Sequence, residues 1–288
     1  MKIFDGLGVA LITPFRNGKV DFKNFENIVG ELIDRDVDAL IVCGSTGEPH
    51  SLTQKEKHEL VACAVKTAKG KVPVIAGINQ TLTEYAVQEG KTLFEAGADA
   101  FLAITPYCAK CTKSGLVMHY RQISKIGLPV IAYNVPSRTG YDMSADSLKE
   151  LIDQNLICGI KQASATMRST MEYLKVLDGK GFLYSGEDDL CVSMRALGAV
   201  GVISVAGLVI PEAMKAIFNL PIENAGKLQL ELNGFINSLF CDVNPVPVKF
   251  ALSYLGKCEN SFRLPLTPLD EDGKQRIIEQ GKRIGVFE

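Results

Sequence analysis

Lys161 stands in Gly159-Ile160-Lys161-Gln162-Ala163-Ser164, behind the apolar residues Leu156, Ile157 and Cys158. Burial disfavours an ammonium ion and leaves a population of neutral amine, which can attack a carbonyl carbon and form an imine. A lysine in such a run can equally reach water at a strand end or pair with a carboxylate, so the segment alone leaves both readings open. Three other groups of residues narrow the choice. Gly44-Ser45-Thr46-Gly47-Glu48 places two small hydroxyls between glycines, where backbone N–H groups can converge on a carboxylate or simply form a tight polar turn. Tyr133 is a packing residue with its hydroxyl at a rim, or a proton carrier beside a nucleophilic amine. Arg138, on a loop bounded by Pro136 and Gly140, has the planar fork that grips a carboxylate through two hydrogen bonds. Taken together, these residues describe an imine-forming site for a small keto acid.

Such groups must be held by a scaffold, and the chain spells one out. Apolar, β-branched runs occur at 8–13, 39–43, 72–77, 100–105, 129–134, 157–161, 182–185 and 200–204, each followed by a helical pattern. In the first of these patterns Phe22, Phe25, Ile28, Val29, Leu32 and Ile33 share a face. Thr53 with Glu56 and Thr81 with Glu84 read as capping boxes that open the second and third. The strands are too uniformly apolar for one solvated face, so the α/β chain is expected to close into a (β/α)8 TIM barrel. An open doubly wound sheet would need a Gly-x-Gly-x-x-Gly turn after the first strand, and Thr13-Pro14-Phe15-Arg16-Asn17-Gly18 is not one. Strand signals stop after Pro211. Helical stretches near 223–241, 245–256 and 270–284 then give a barrel over residues 1–222 and a C-terminal helical extension over 223–288. The residues singled out above fall at strand ends, on the face where barrel enzymes carry their chemistry.

Composition removes several classes of function. The 31 basic and 33 acidic residues of the 288 leave a formal charge of -2 and no basic patch for nucleic acid. The N-terminus has no signal-length apolar run, and 197–210 is too short to span a bilayer, so a soluble, cytoplasmic protein is expected. The eight cysteines lie mostly in apolar segments and read as reduced. Cys108-Ala109-Lys110-Cys111 has the spacing of half a zinc or redox motif, but no second pair accompanies it, so no metal site is expected.

Gly-Ser-Thr-Gly-Glu at 44–48, Tyr-Asn-Val-Pro-Ser-Arg-Thr-Gly at 133–140, Gly-Ile-Lys-Gln-Ala-Ser at 159–164, Gly-Val-Ile-Ser at 201–204 and Asn-Pro-Val-Pro-Val-Lys at 244–249 resemble the 4-hydroxy-tetrahydrodipicolinate synthases in order and spacing. These enzymes are also called dihydrodipicolinate synthases, within the pyruvate-dependent class I aldolase superfamily. The resemblance implies that Lys161 forms the Schiff base with pyruvate, and that Ser45 and Thr46, beside Gly44, bind its carboxylate. It implies that Tyr133 moves protons, that Arg138 binds the carboxylate of L-aspartate 4-semialdehyde, and that the Ile203 carbonyl borders the lysine. It also implies lysine and diaminopimelate biosynthesis, no metal or organic cofactor, and a homotetramer built as a dimer of dimers. Two positions of the family's catalytic triad of threonine, tyrosine and tyrosine depart here: the threonine is Ser45, which keeps the hydroxyl, and the reaching tyrosine is Cys108, which implies slow turnover. A related aldolase or lyase acting on a sugar acid or another aldehyde, and a non-catalytic pyruvate-binding paralogue, are the alternatives. Pro49, His50, Gln54 and Lys57 stand where some lysine-sensitive relatives have serine, alanine and two histidines, and a cationic Lys57 is expected to oppose binding of free lysine.

Overall fold

Eight parallel strands close on themselves: β1 (Gly6–Ala10), β2 (Ala39–Val42), β3 (Val74–Ile78), β4 (Ala100–Ile104), β5 (Val130–Asn134), β6 (Gly159–Gln162), β7 (Phe182–Ser185) and β8 (Gly201–Ser204). The structure, a computed structural model, describes residues 1–164 and 166–288. Closure is made where β1 pairs with β8, Gly6 opposite Gly201, and with β2, Gly8 opposite Ala39. A helix follows each strand: α1 (Phe22–Asp34), α2 (Gln54–Ala68), α3 (Thr83–Glu95), α4 (Lys113–Ser124), α5 (Ala145–Asp153), α6 (Met167–Leu177), α7 (Cys191–Leu197) and α8 (Pro211–Asn219). The expected (β/α)8 barrel is therefore present.

The two-residue period of the strands divides the core. Leu7, Val9, Leu40, Val42, Phe101 and Ile160 face outward into the helices, whereas Ala39, Ile41, Leu102, Ile131, Tyr133 and Ile203 fill the interior. Both faces of most strands are thus apolar, β6 with Lys161 turned inward being the exception, which is why the runs read as continuous rather than alternating. On α1 the expected stripe is buried at Phe25, Ile28, Val29 and Leu32, and partly buried at Phe22 and Ile33.

Three details differ from the sequence reading. The first strand spans Gly6–Ala10 rather than 8–13, because Leu11 gives the last ladder hydrogen bond to Ile41 and Pro14 cannot donate one. Thr13 turns instead to Gly47, its hydroxyl donating to that carbonyl at 2.7 Å. A small antiparallel hairpin, Phe15–Arg16 with Lys19–Val20, follows around Asn17-Gly18, both at positive φ. The capping box at Thr53 and Glu56 forms, but that at Thr81 and Glu84 does not. Helix α3 starts at Thr83 behind Leu82, and the Thr81 hydroxyl points to the Tyr107 carbonyl at 3.4 Å.

Beyond the barrel lie α9 (Ile222–Ser238), α10 (Val246–Tyr254) and α11 (Glu271–Arg283), close to the expected stretches. Phe235, Ile236, Leu239, Val248 and Leu252 from these helices join the same hydrophobic cluster as Val9 and Leu40 of the barrel. No helix among the described residues is long and apolar enough to cross a membrane.

Candidate active site

Lys161 and Tyr133 occupy matched positions on neighbouring strands β6 and β5, so their side chains leave the barrel wall on the same inner face. The Lys161 ammonium lies over the tyrosine ring, 4.6 Å from its centroid. Both side chains are buried, at 6% exposure each. They sit at the floor of a cavity of about 310 Å³ that opens at the carboxyl ends of the strands.

The far wall of this cavity is the turn that leaves β2. Gly44 is extended, Ser45–Gly47 form one turn of 3-10 helix, and Glu48 is left-handed at φ 54°, its N–H closing the turn on the Ser45 carbonyl. Two close approaches hold this turn against the barrel. A side chain at Gly77 would put its Cβ 2.2 Å from the Cys43 carbonyl oxygen, so only glycine lets β3 pass. The Asn79 amide then donates to that same carbonyl at 2.7 Å. Gly44, Ser45 and Thr46 line the cavity, with Thr46 buried and Ser45 half-buried.

Arg138 rides on a single helical turn, Pro136–Thr139, that follows β5 and ends in Gly140 at positive φ. Its side chain is exposed at the mouth of the cavity, where one guanidinium nitrogen donates to the Asn244 carbonyl at 2.9 Å. The Asn244 side-chain amide in turn donates to the Thr46 hydroxyl at 3.0 Å. Asn244, between α9 and α10, thus bridges the guanidinium and the turn that faces it.

The other residues named from sequence fall elsewhere. Ile203 packs in the barrel interior with Tyr133 and Tyr184, and its side chain is outside the cavity lining. Cys108 is exposed, at φ 66°, on the loop after β4, and is also outside the lining. Tyr107 borders a second cavity of about 450 Å³ that shares Ser45 and Arg138 with the first and adds Pro49, His50 and Gln54. Lys57 lies there too, but it is buried and ion-paired with Glu89, whose other oxygen accepts the Asn79 N–H at 2.7 Å. Its charge is therefore spent inside the protein rather than displayed to a ligand, which corrects the expected repulsion.

Two features escaped the sequence reading. Glu187, two residues past β7, lines the cavity with Lys161 and Arg138. Burial, with the neighbouring Asp189 adding to it and Lys161 opposing it, pushes the Glu187 carboxyl up to about 7. Gly186 brings it there: its N–H donates to Gln162 at 2.7 Å, and a Cβ would lie 2.6 Å from that of Ala163. The rule that located the other residues, polar groups at the end of a strand, would have found Gly186-Glu187-Asp188-Asp189 as well. The second feature is the buried pair of Glu48 with Lys249 of α10, which joins the 44–48 turn to the C-terminal helices. Sequence separation of this size gives no local signal.

A barrel with a buried lysine and tyrosine side by side at its carboxyl end, and a guanidinium across the opening, defines an enzyme scaffold of the lysine-dependent aldolase kind. The sequence model of the dihydrodipicolinate synthetase family matches residues 3–282, and the chain belongs to that family. It is 40% identical to the 4-hydroxy-tetrahydrodipicolinate synthase of Alkaliphilus oremlandii, across 99% of this chain and 100% of that one. The corresponding enzyme of Clostridium novyi is also 40% identical, across 94% of each chain. Among solved structures, the dihydrodipicolinate synthase of Thermotoga maritima superposes with a TM-score of 0.97 at 32% identity, covering 99% of this chain and 100% of that one. The chloride-inhibited enzyme of Acinetobacter baumannii, complexed with pyruvate, gives 0.96 at 34% identity, covering 99% and 100%.

Proposed function

We propose that this chain condenses pyruvate with L-aspartate 4-semialdehyde to 4-hydroxy-tetrahydrodipicolinate, as a lyase-type synthase of lysine and diaminopimelate biosynthesis. The observation that carries the reading is the Lys161 amine 4.6 Å above the Tyr133 ring, enclosed by the Gly44–Thr46 segment on one side and Arg138 on the other. The Lys161 amine adds to the pyruvate carbonyl, and loss of water gives the imine. The backbone and hydroxyls of residues 44–46 hold the pyruvate carboxylate. Tyr133, against the lysine, passes protons as the imine becomes an enamine. The enamine carbon attacks the aldehyde, whose carboxylate is gripped by the Arg138 fork, and the substrate amine then displaces Lys161 as the ring closes.

The covalent link to Lys161 serves as the electron sink, so the scheme is written without a metal or an organic cofactor. Arg138 at the cavity mouth favours this aldehyde over a sugar-derived aldehyde, which offers hydroxyls but no carboxylate to the guanidinium. The unpaired cysteines support a reducing, cytoplasmic setting. Leu82, Tyr85 and Tyr107, exposed near the second cavity, support burial against a partner copy in a dimer of dimers.

The test is mass spectrometry after borohydride reduction with pyruvate, followed by turnover with candidate aldehydes. We expect a pyruvate adduct on Lys161 and turnover with aspartate semialdehyde. An adduct without that turnover, or turnover only with a sugar-derived aldehyde, refutes the assignment.

A further inference from the structure

We propose that Glu187 is a catalytic residue that binds the α-ammonium of the second substrate and removes its proton before ring closure. This rests on the condensation proposed above. The aldehyde carries three groups that the site must read, and Arg138 and the enamine account for two of them. The third is an ammonium, which cannot attack until it becomes an amine.

The geometry leaves one group for that task. Glu187 lines the cavity beside Lys161 and Arg138, and among the described residues no hydrogen bond or ion pair engages its carboxyl oxygens. Its neighbour Asp188 is committed elsewhere, one oxygen accepting the N–H groups of Val205 and Ala206 at 2.9 and 2.8 Å. Asp189, on the same loop, lies outside the cavity lining. The charged and titratable groups facing Glu187 are Asp188 and Asp189 on its own loop and Lys161 on β6, with Tyr133 of β5 and Arg138 around the same cavity. A carboxyl that titrates near neutrality is matched to proton transfer at physiological pH.

The step balances without an external reagent. The Glu187 carboxylate takes one proton from the ammonium of the condensed adduct, and the freed electron pair forms the new C–N bond at the imine carbon. A second proton passes from the substrate nitrogen to the Lys161 nitrogen. The C–N bond to Lys161 then breaks with its electrons leaving on lysine, while the ring nitrogen forms the double bond to carbon. Glu187 returns its proton to solvent at the cavity mouth. A sugar-derived aldehyde has no ammonium, so the same carboxyl also selects for an amino aldehyde.

The experiment compares wild type with Glu187→Gln in three readouts: borohydride capture of pyruvate, kcat against pH, and formation of the adduct with 4-oxobutanoate, which lacks the amine. The variant should capture pyruvate and add 4-oxobutanoate at wild-type rates. It should lose about a hundredfold or more in kcat with aspartate semialdehyde, together with the fall in kcat below about pH 7 that the proposal requires of wild type. A kcat within about twofold of wild type, or a retained acidic limb, overturns the proposal. If the variant does not fold, wild type alone decides. An acidic limb near 7 with aspartate semialdehyde and not with 4-oxobutanoate supports the role, and the same limb with both overturns it. Failure of wild type to turn over aspartate semialdehyde sinks the condensation itself, and the two failures are thereby distinguished.

Discussion

Replacing Lys249 with methionine keeps most of the side-chain volume and removes one charge of a fully buried pair. The Lys249 ammonium contacts Glu48, donates to the Ser261 carbonyl at 3.0 Å, and lies 4.5 and 4.6 Å from the ring centroids of Phe15 and Phe262. Burial pushes the Glu48 carboxyl up and the Lys249 ammonium down, and each opposes that push on the other. One Glu48 oxygen is already buried without a partner, so the variant leaves the carboxylate with only the weaker pull of Arg263 against its burial. Removing one member of such a pair costs about 3–5 kcal/mol. At roughly 2–4 °C per kcal/mol for a chain of this order of size, Tm should fall by about 10 °C. A carboxyl whose folded pKa is raised destabilises only when ionised. The deficit is therefore full above the folded value and shrinks as pH falls toward about 4.3, the ordinary glutamate value. The double variant Glu48→Gln with Lys249→Met removes both charges and should recover much of the loss. Because Glu48 closes the turn that begins at Gly44, Lys249→Met should also raise KM for pyruvate. Thermal unfolding from pH 4.5 to 8 and steady-state kinetics check this. A drop in Tm below about 2 °C, or a double variant no better than the single, refutes the argument.

Lys161→Ala should abolish covalent capture of pyruvate in the borohydride assay, and undiminished labelling would remove the imine mechanism. Arg138→Ala should raise KM for the aldehyde tenfold or more and leave KM for pyruvate nearly unchanged, on the order of one lost charge-assisted contact. Cys108→Tyr should raise kcat, by restoring a phenol to the proton path. The left-handed backbone there is already strained by the cysteine, so stability should change little, which denaturant melts read directly. Glu56, held by Arg263 and by the Thr53 cap, is pulled down to about 2. Its contribution to stability is present above the ordinary carboxyl range and lost as pH falls toward 2, so Arg263→Met should flatten the acid limb of a stability profile.

The barrel could be read from the chain because most strands are apolar on both faces and the helices carry an apolar stripe. Those are local patterns with fixed periods. The juxtaposition of Lys161 and Tyr133 at the strand ends could be read because polar groups at a barrel's strand ends follow a rule of position. What could not be read was set by long-range pairing. The end of β1 depends on which carbonyl Leu11 meets across the barrel, and the cap expected at Thr81 was overruled by its contact with the loop after β4. Lys57 displays a charge in the sequence, and only Glu89, 32 residues away, cancels it. Asn244 belonged to a noticed motif, but its role as a brace between Arg138 and Thr46 depends on an approach across nearly 200 residues.

The turn at residues 44–48 is encoded early and completed late. Its hydroxyl at Thr46 is met by Asn244, its left-handed end at Glu48 by Lys249, and the segment after it by Arg263, which donates to the Ser51 carbonyl at 2.7 Å and to Glu56. A ribosome that has made only the eight strands has therefore made the lysine but not the braces around the turn. The lysine is thus made well before the turn across the cavity is braced, so the cavity takes its final shape only once the C-terminal helices have been synthesised.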